Sequence, residues 1–197
     1  MAKRPSGVYD AKQLASDAIF CALILGFSLL FSSLAYLSRS VFGVLIAAMI
    51  GLYFSKKSLV RSFTAGAAML LLLFILQGLT LTVSVYLPNI LGGIVLALAF
   101  RLTDRGYFAL SVPALAAITA GEFFLVSHLM MGSSVFASLQ ETLSKYEFIR
   151  IPEERMVFYL TCYFICFCLV MAGMKSVIAQ KLRRILLRHL PQLDKFL

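Results

Sequence analysis

Residues 18–38 and 156–174 contain no charged side chain, and at 21 and 19 residues each is long enough to cross a hydrocarbon layer of about 30 Å as one helix. A soluble domain has little use for two such runs. The rest of the chain points the same way: 61% of its 197 residues are hydrophobic, only 14% are charged, and mean hydropathy is +0.93. A soluble domain is nearer half apolar with about a quarter charged. The expectation is an all-α membrane protein with a single integral membrane domain over residues 1–197.

Charged residues fall in clusters, and the gaps between clusters mark the spans. Residues 62–100 form a charge-free run too long for one crossing, and Pro88-Asn89 reads as its breaking turn. Two helices are therefore expected there. Residues 40–55 are short for a full crossing, and 107–131 is interrupted only by Glu122, with Pro113 as a kink or a first-turn proline. Six spans follow, at about 14–37, 40–55, 62–86, 89–101, 107–131 and 156–180. They make a six-helix transmembrane bundle with an outer amphipathic segment at 133–155 and a basic cytoplasmic tail at 181–197.

Lys and Arg set the orientation, because short cytoplasmic loops carry the excess of positive charge. One side collects Lys3, Arg4, Lys12, Lys56, Lys57, Arg61, Arg101, Arg105 and the basic residues from Lys175 to Lys195, fourteen in all. The other has Arg39, Lys145, Arg150 and Arg155, offset by Glu141, Glu147, Glu153 and Glu154. The bias predicts both termini in the cytoplasm, in a bacterial cytoplasmic (inner) membrane. It also explains the +9 net charge without a nucleic-acid surface, for which no motif is present. Lys3 and Arg4 before an apolar run, with Ser33-Leu34-Ala35 after it, imitate a cleavable signal. The run is longer than an ordinary signal core, so the first helix is expected to be retained. Cys21, Cys162, Cys166 and Cys168 all fall inside spans and read as small apolar residues, with no metal or other cofactor expected.

Small residues recur at helical spacing on the first helix (Ala11, Ala15, Ala18, Ala22) and the second (Gly43, Ala47, Gly51). Such strips let backbones approach closely, within the bundle or against another protein. Polar residues gather toward the outer half of the spans. Ser28, Ser32 and Tyr36 follow one helix line, Gln77, Thr80 and Ser84 another, and Glu122, Asn89, Tyr159 and Tyr163 share their depth. A carboxylate in a span costs roughly 2.5–3.5 kcal/mol on insertion scales and is a functional-site hypothesis by default. Ligand-binding candidates are therefore Glu122, Gln77, Thr80, Ser84, Ser28, Ser32, Asn89 and Tyr159, around an outward-opening pocket. The alternative is that each hydroxyl bonds its own helix backbone and Glu122 is neutralised internally.

Val135, Phe136, Leu139, Leu143 and Tyr146 recur at helical spacing, so 133–155 reads as a surface helix and a candidate lid. Lys181 to Arg188 reads as a basic helix end resting on anionic headgroups or docking a cytoplasmic partner. No catalytic motif stands up. Phe124-x-x-x-His128 echoes half of an intramembrane prenyl-protease pattern, but Glu153-Glu154-Arg155 has the wrong spacing and follows it. No enzyme is expected.

Six short helices, a first helix reading from Ala11 to Leu23 with its alanine strip, and a last helix ending in Arg183-Arg184 resemble the substrate-binding S components of energy-coupling-factor vitamin transporters. Within that superfamily the chain is most similar to YybS-like membrane proteins of unknown function. The resemblance implies that Ala11, Ala15, Ala18 and Ala22 dock a transmembrane coupling subunit that works with cytoplasmic ATPases, with Arg183 and Arg184 as further partner contacts. It implies a small-molecule, vitamin-like ligand and names no substrate. An MreD-like scaffold, which binds partner proteins and transports nothing, shares the layout.

Overall fold

The computed structural model describes residues 11–32, 36–126 and 153–189, with isolated positions at 128, 137 and 141. The expected outer segment 133–155 and the tail beyond residue 189 therefore lie almost wholly outside the described residues. All described regular structure is helical: α1 (Ala11–Ser32), α2 (Tyr36–Phe54), α3 (Leu59–Leu81), a π-helical turn (Thr82–Tyr86), α4 (Leu87–Ala99), α5 (Asp104–Val126) and α6 (Glu153–His189). Four stretches are long and apolar enough to cross a membrane: Gln13–Leu30, Leu59–Ala99, Arg105–Val126 and Phe158–Leu186. Phe42–Phe54 is a shorter apolar helix.

The 41-residue stretch Leu59–Ala99 would measure about 60 Å if straight, twice the hydrocarbon thickness. It is not straight. A methyl group added at Gly66 would stand 3.2 Å from side-chain atoms of Ile90 and Ile94, residues more than six helical turns away along the chain. The stretch folds back on itself at Gly78, whose φ of 80° and ψ of 171° lie outside the helical region. Only glycine reaches that conformation without a Cβ penalty. The Thr82 hydroxyl then donates to the Gly78 carbonyl at 2.8 Å and secures the start of the returning helix.

This corrects the expected break at Pro88-Asn89. Pro88 sits in the first turn of α4, where its missing N–H costs little because the π-helical turn leads into it. Pro113 also differs from one of its two expectations: it lies in the middle of α5, not at the first turn, and withholds the donor that the Ala109 carbonyl would receive. Gly78→Ala is expected to destabilise the hairpin by about 1–3 kcal/mol, the usual cost of a sparsely populated backbone conformation. An unchanged unfolding midpoint would show that the chain turns elsewhere.

α2 and α4 form the centre. A Cβ at Gly43 would meet the Asn89 side chain at 2.5 Å, one at Gly51 the Leu96 Cβ at 2.8 Å, and one at Gly93 the Ile50 Cγ2 at 2.6 Å. Contact order ascends together on both helices, so they run parallel with backbones close. The small-residue strip Gly43-Ala47-Gly51 therefore packs inside the bundle. Two apolar cores lie on either flank of this pair. One joins Cys21 and Ile24 of α1 with Met69 and Leu73 of α3, Ile50 and Phe54 of α2, and Ile90 and Ile94 of α4. The other joins Ala47 and Leu52 of α2 and Leu96 and Phe100 of α4 with Tyr107 and Leu115 of α5 and Phe164, Cys168 and Ala172 of α6.

α6 is one continuous helix of 37 residues, about 55 Å long, so the basic stretch from Lys181 continues the apolar helix without a break. The stripe Val170, Met174, Val177 is exposed, and the same face carries exposed Lys181, Arg184 and Arg188. α1 meets the bundle through Asp17, Cys21, Ile24 and Ser28, spaced four, three and four apart. Ala11, Ala15, Ala18 and Ala22 lie on its exposed side, outside the internal packing.

Candidate functional site

Two polar constellations interrupt the apolar helices. The first ties the start of α1 to the α2–α3 connection. Asp17 is buried, and its carboxylate accepts from the Tyr53 hydroxyl at 2.8 Å, from the Lys57 ammonium at 3.3 Å and from Arg61 Nε. Ser16 shares a 2.7 Å hydrogen bond with the Tyr53 hydroxyl, and Arg61 Nη2 donates to the Gln13 carbonyl at 3.0 Å. Phe20 stacks on the Tyr53 ring at 3.8 Å, while the Lys57 ammonium lies 3.1 Å from that ring's centroid. Burial lowers the Lys57 pKa, and Asp17 opposes that shift. Beside this cluster Arg101 closes the end of α2, donating to the carbonyls of Phe54, Ser55 and Lys57. A cation at a helix C-terminus offsets the partial negative charge of its free carbonyls. Every group here has a partner, which makes this cluster a fastening.

The second constellation lies along the seam of α5 and α6. Tyr107, Ser111, Thr119 and Glu122 follow one line of α5 at helical spacing. The buried Tyr107 hydroxyl donates to the Ser176 carbonyl at 2.8 Å, and Ser176 Oγ donates to Ser111 Oγ at 3.0 Å. One residue back on α6, the Lys175 ammonium donates to Thr119 Oγ1 at 3.3 Å and lies near enough for its charge to act on the Glu122 carboxylate. Lysine side chains lean toward the N-terminus of their helix, and here that lean carries the ammonium away from the basic end of α6 and into the seam.

Lys175 and Thr119 open onto a crevice where four helices meet. Its walls are Val44 and Ala47 of α2, Pro88, Asn89, Gly92 and Leu96 of α4, and Leu115 and Ile118 of α5. It measures about 310 Å³ counting its open mouth and narrows to room for about one water molecule. Asn89 is held there from two sides: its Nδ2 donates to the Val85 carbonyl at 2.7 Å, and Gly43 leaves the space its amide fills. Searches against family models, curated proteins and solved structures found no match. The geometry carries the functional argument.

Of the residues expected at a ligand site, the structure brings Asn89 into the crevice and Glu122 within electrostatic reach of the lysine that lines it. It does not gather the others there. Ser28 is buried and donates to the Ile24 carbonyl at 2.8 Å, and its own carbonyl accepts from Tyr86 at 3.1 Å. Ser84 donates to the Thr80 carbonyl at 2.7 Å, Thr80 is exposed, and Gln77 is half-buried one residue before the break. Tyr159 is exposed on α6, and the Ser32 side chain lies outside the described residues. Hydroxyls that bond their own helix satisfy themselves locally and need no pocket.

Arg183 is half-buried with its guanidinium 5.0 Å from the Phe100 ring centroid, and Arg184 is exposed. Cys162 and Cys166 are exposed, while Cys21 and Cys168 are buried. Sequence reasoning missed Asp17, Thr119 and Lys175. Lys175 was visible as a charge with apolar Val177, Ile178 and Ala179 still to follow. A charge four residues short of the end of an apolar run is a sign of a partner inside it.

Proposed function

We propose that this chain is a six-span protein of the bacterial cytoplasmic membrane, with both termini inside, and that it serves as the solute-binding component of a small-molecule uptake system. The reading counts Leu59–Ala99 as two crossings hinged at Gly78. The observation that carries it is the crevice: charged Lys175 with Glu122 nearby, beside Thr119 and Asn89, in the interior of otherwise apolar helices. Ionisable groups at membrane depth are expensive, and they are kept where a pathway or ligand uses them. The exposed alanine face of α1 supplies the surface that a transmembrane coupling subunit needs, and cytoplasmic ATPases would drive the cycle from there. The chain itself performs no catalysis in this scheme.

A second reading is favoured by the narrowness of the crevice and by the self-bonded hydroxyls. In it the chain is a non-transporting scaffold, MreD-like in role, whose α1 face and Arg183–Arg184 end bind assembly partners while Lys175 and Glu122 neutralise one another. The two separate on purification in gentle detergent followed by mass spectrometry of proteins and small molecules. Recovery of an ATPase pair with a bound metabolite is the expected result. Stable partners without ATPases or metabolite would replace the uptake reading with the scaffold. Orientation is tested independently by cysteine substitution at exposed Lys56, which is expected to react with impermeant thiol reagents only in inverted vesicles.

A further inference from the structure

Lys175 is the most informative group in the molecule, because its surroundings use only part of its capacity. An ammonium has three donors. Among the described residues its hydrogen-bond partner is Thr119, and the side chain forms part of the crevice wall. The Lys175 charge reaches the Glu122 carboxylate through space. The other cations at the helix ends are differently placed: Lys57 and Arg61 are spent on Asp17, and Arg101 on the α2 carbonyls.

We propose that the crevice between α2, α4, α5 and α6 is a recognition site for a small carboxylate, with the Lys175 ammonium as its anion-binding group and Thr119 and Asn89 as the polar groups beside it. The inference rests on the uptake reading and narrows its substrate to one chemical class. Size and charge both select that class. The crevice has room for about one water-sized atom, which suits a single carboxylate oxygen, and it is open on one side, where the remainder of a small molecule would lie. One lysine balances one negative charge, whereas a phosphate dianion calls for more cations and a larger cup. The incoming carboxylate becomes the close counter-charge of Lys175, with the more distant Glu122 as its electrostatic competitor. No bond is made or broken. The same chemistry can arrive from water as a short acid or from the bilayer as the head of a fatty acid.

The test uses the full chain in lipid nanodiscs, titrated with carboxyl-13C acetate for the aqueous source and carboxyl-13C decanoate for the bilayer source. Acetamide, of similar shape and no charge, is the control. Saturable line broadening is expected for at least one carboxylate and none for acetamide. Lys175→Met is expected to weaken binding by about tenfold or more, the loss of a charge-assisted contact. Glu122→Gln, which removes the competing carboxylate, is expected to tighten it several-fold. Where Lys175→Met fails to fold, Lys175→Gln removes the charge with a polar side chain and Thr119→Val removes the hydroxyl, and both must weaken binding. Saturation by acetate alone assigns the site to soluble acids, and by decanoate alone to bilayer acids. Absence of broadening with both, or binding indifferent to Lys175 and Glu122, overturns the proposal. The uptake reading stands or falls separately: ATPases copurifying with a chain that ignores both carboxylates would retain it without this site.

Discussion

Replacing Asp17 with asparagine is expected to lower stability by about 3 kcal/mol, the largest single effect we foresee, because it strands two partly buried cations. Lys57 and Arg61 retain only 11% and 13% of their side-chain exposure, and Asp17 is their shared counter-charge. An asparagine can still accept from Tyr53 but carries no charge. The neighbouring Tyr53→Phe change removes the hydroxyl's two hydrogen bonds, to Asp17 and Ser16, and leaves the carboxylate's charge in place, at a cost of about 1 kcal/mol for each bond. The contrast separates charge from hydrogen bonding. The chain has no tryptophan, but buried Cys21 and Cys168 serve as reporters, reacting with a thiol dye only on unfolding once exposed Cys162 and Cys166 are changed to serine. An Asp17→Asn midpoint equal to that of the parent would remove the fastening role. Adding Lys57→Met to Asp17→Asn is expected to recover part of the loss, since one stranded charge then disappears.

Gly93→Ala carries the second large effect, and here two contributions oppose each other. Alanine favours a helix over glycine by about 1 kcal/mol. At Gly93, however, the new methyl would stand 2.6 and 2.7 Å from Ile50 and 3.1 Å from the Ala47 carbonyl. Overpacking of that kind costs typically about 1–3 kcal/mol, and between apolar helices at such close approach the van der Waals fit has no slack to absorb it. The clash wins, and net destabilisation is expected. Gly26→Ala is the internal control, because nothing lies within 4 Å of its added methyl; it should be neutral or slightly stabilising. Ile50→Ala in the Gly93→Ala background should restore part of the loss. A Gly93→Ala variant as stable as Gly26→Ala would mean that α2 and α4 do not approach as described.

How much of this was legible beforehand depends on what kind of information each feature carries. Long apolar runs reveal spanning-length helices directly, since composition over some twenty residues suffices. The strip Gly43-Ala47-Gly51 was legible as a packing face for the same reason: small side chains at four-residue spacing mean close backbones. Which of two strips packs inward was not. Ala11, Ala15, Ala18 and Ala22 have the same spacing and yet lie exposed, because Asp17, Cys21, Ile24 and Ser28 take the inward side of α1. Gly78 escaped notice because glycine inside an apolar run is tolerated in a helix, whereas Pro88 carries the stronger breaking signal. The backbone placed the proline inside the returning helix, directly after a π-helical turn that accommodates its missing N–H. At the candidate site, Asn89 and Glu122 could be read as polar groups at depth, but Lys175 was absorbed into a count of positive charges. Its importance comes from Thr119 and Glu122, which sit more than fifty residues earlier in the chain, and spacing within one helix cannot supply that.

The division of the interior into two cores has a consequence for how the protein is made. The core around Met69, Leu73 and Ile90 is built wholly from residues between Cys21 and Ala97. Those helices can associate while the ribosome is still adding the second half of the chain. The other core needs Phe164, Cys168 and Ala172, so it waits for the last helix. During that interval α5 alone packs on the far flank of α2 and α4, and the part that α6 will cover stays open. Lys175 joins late as well, which means that Thr119, its hydrogen-bond partner, is in place before its cation arrives. Truncations that end between residues 126 and 153 would therefore isolate a half-built bundle, one whose first core is complete and whose α5 polar line still lacks its partner helix.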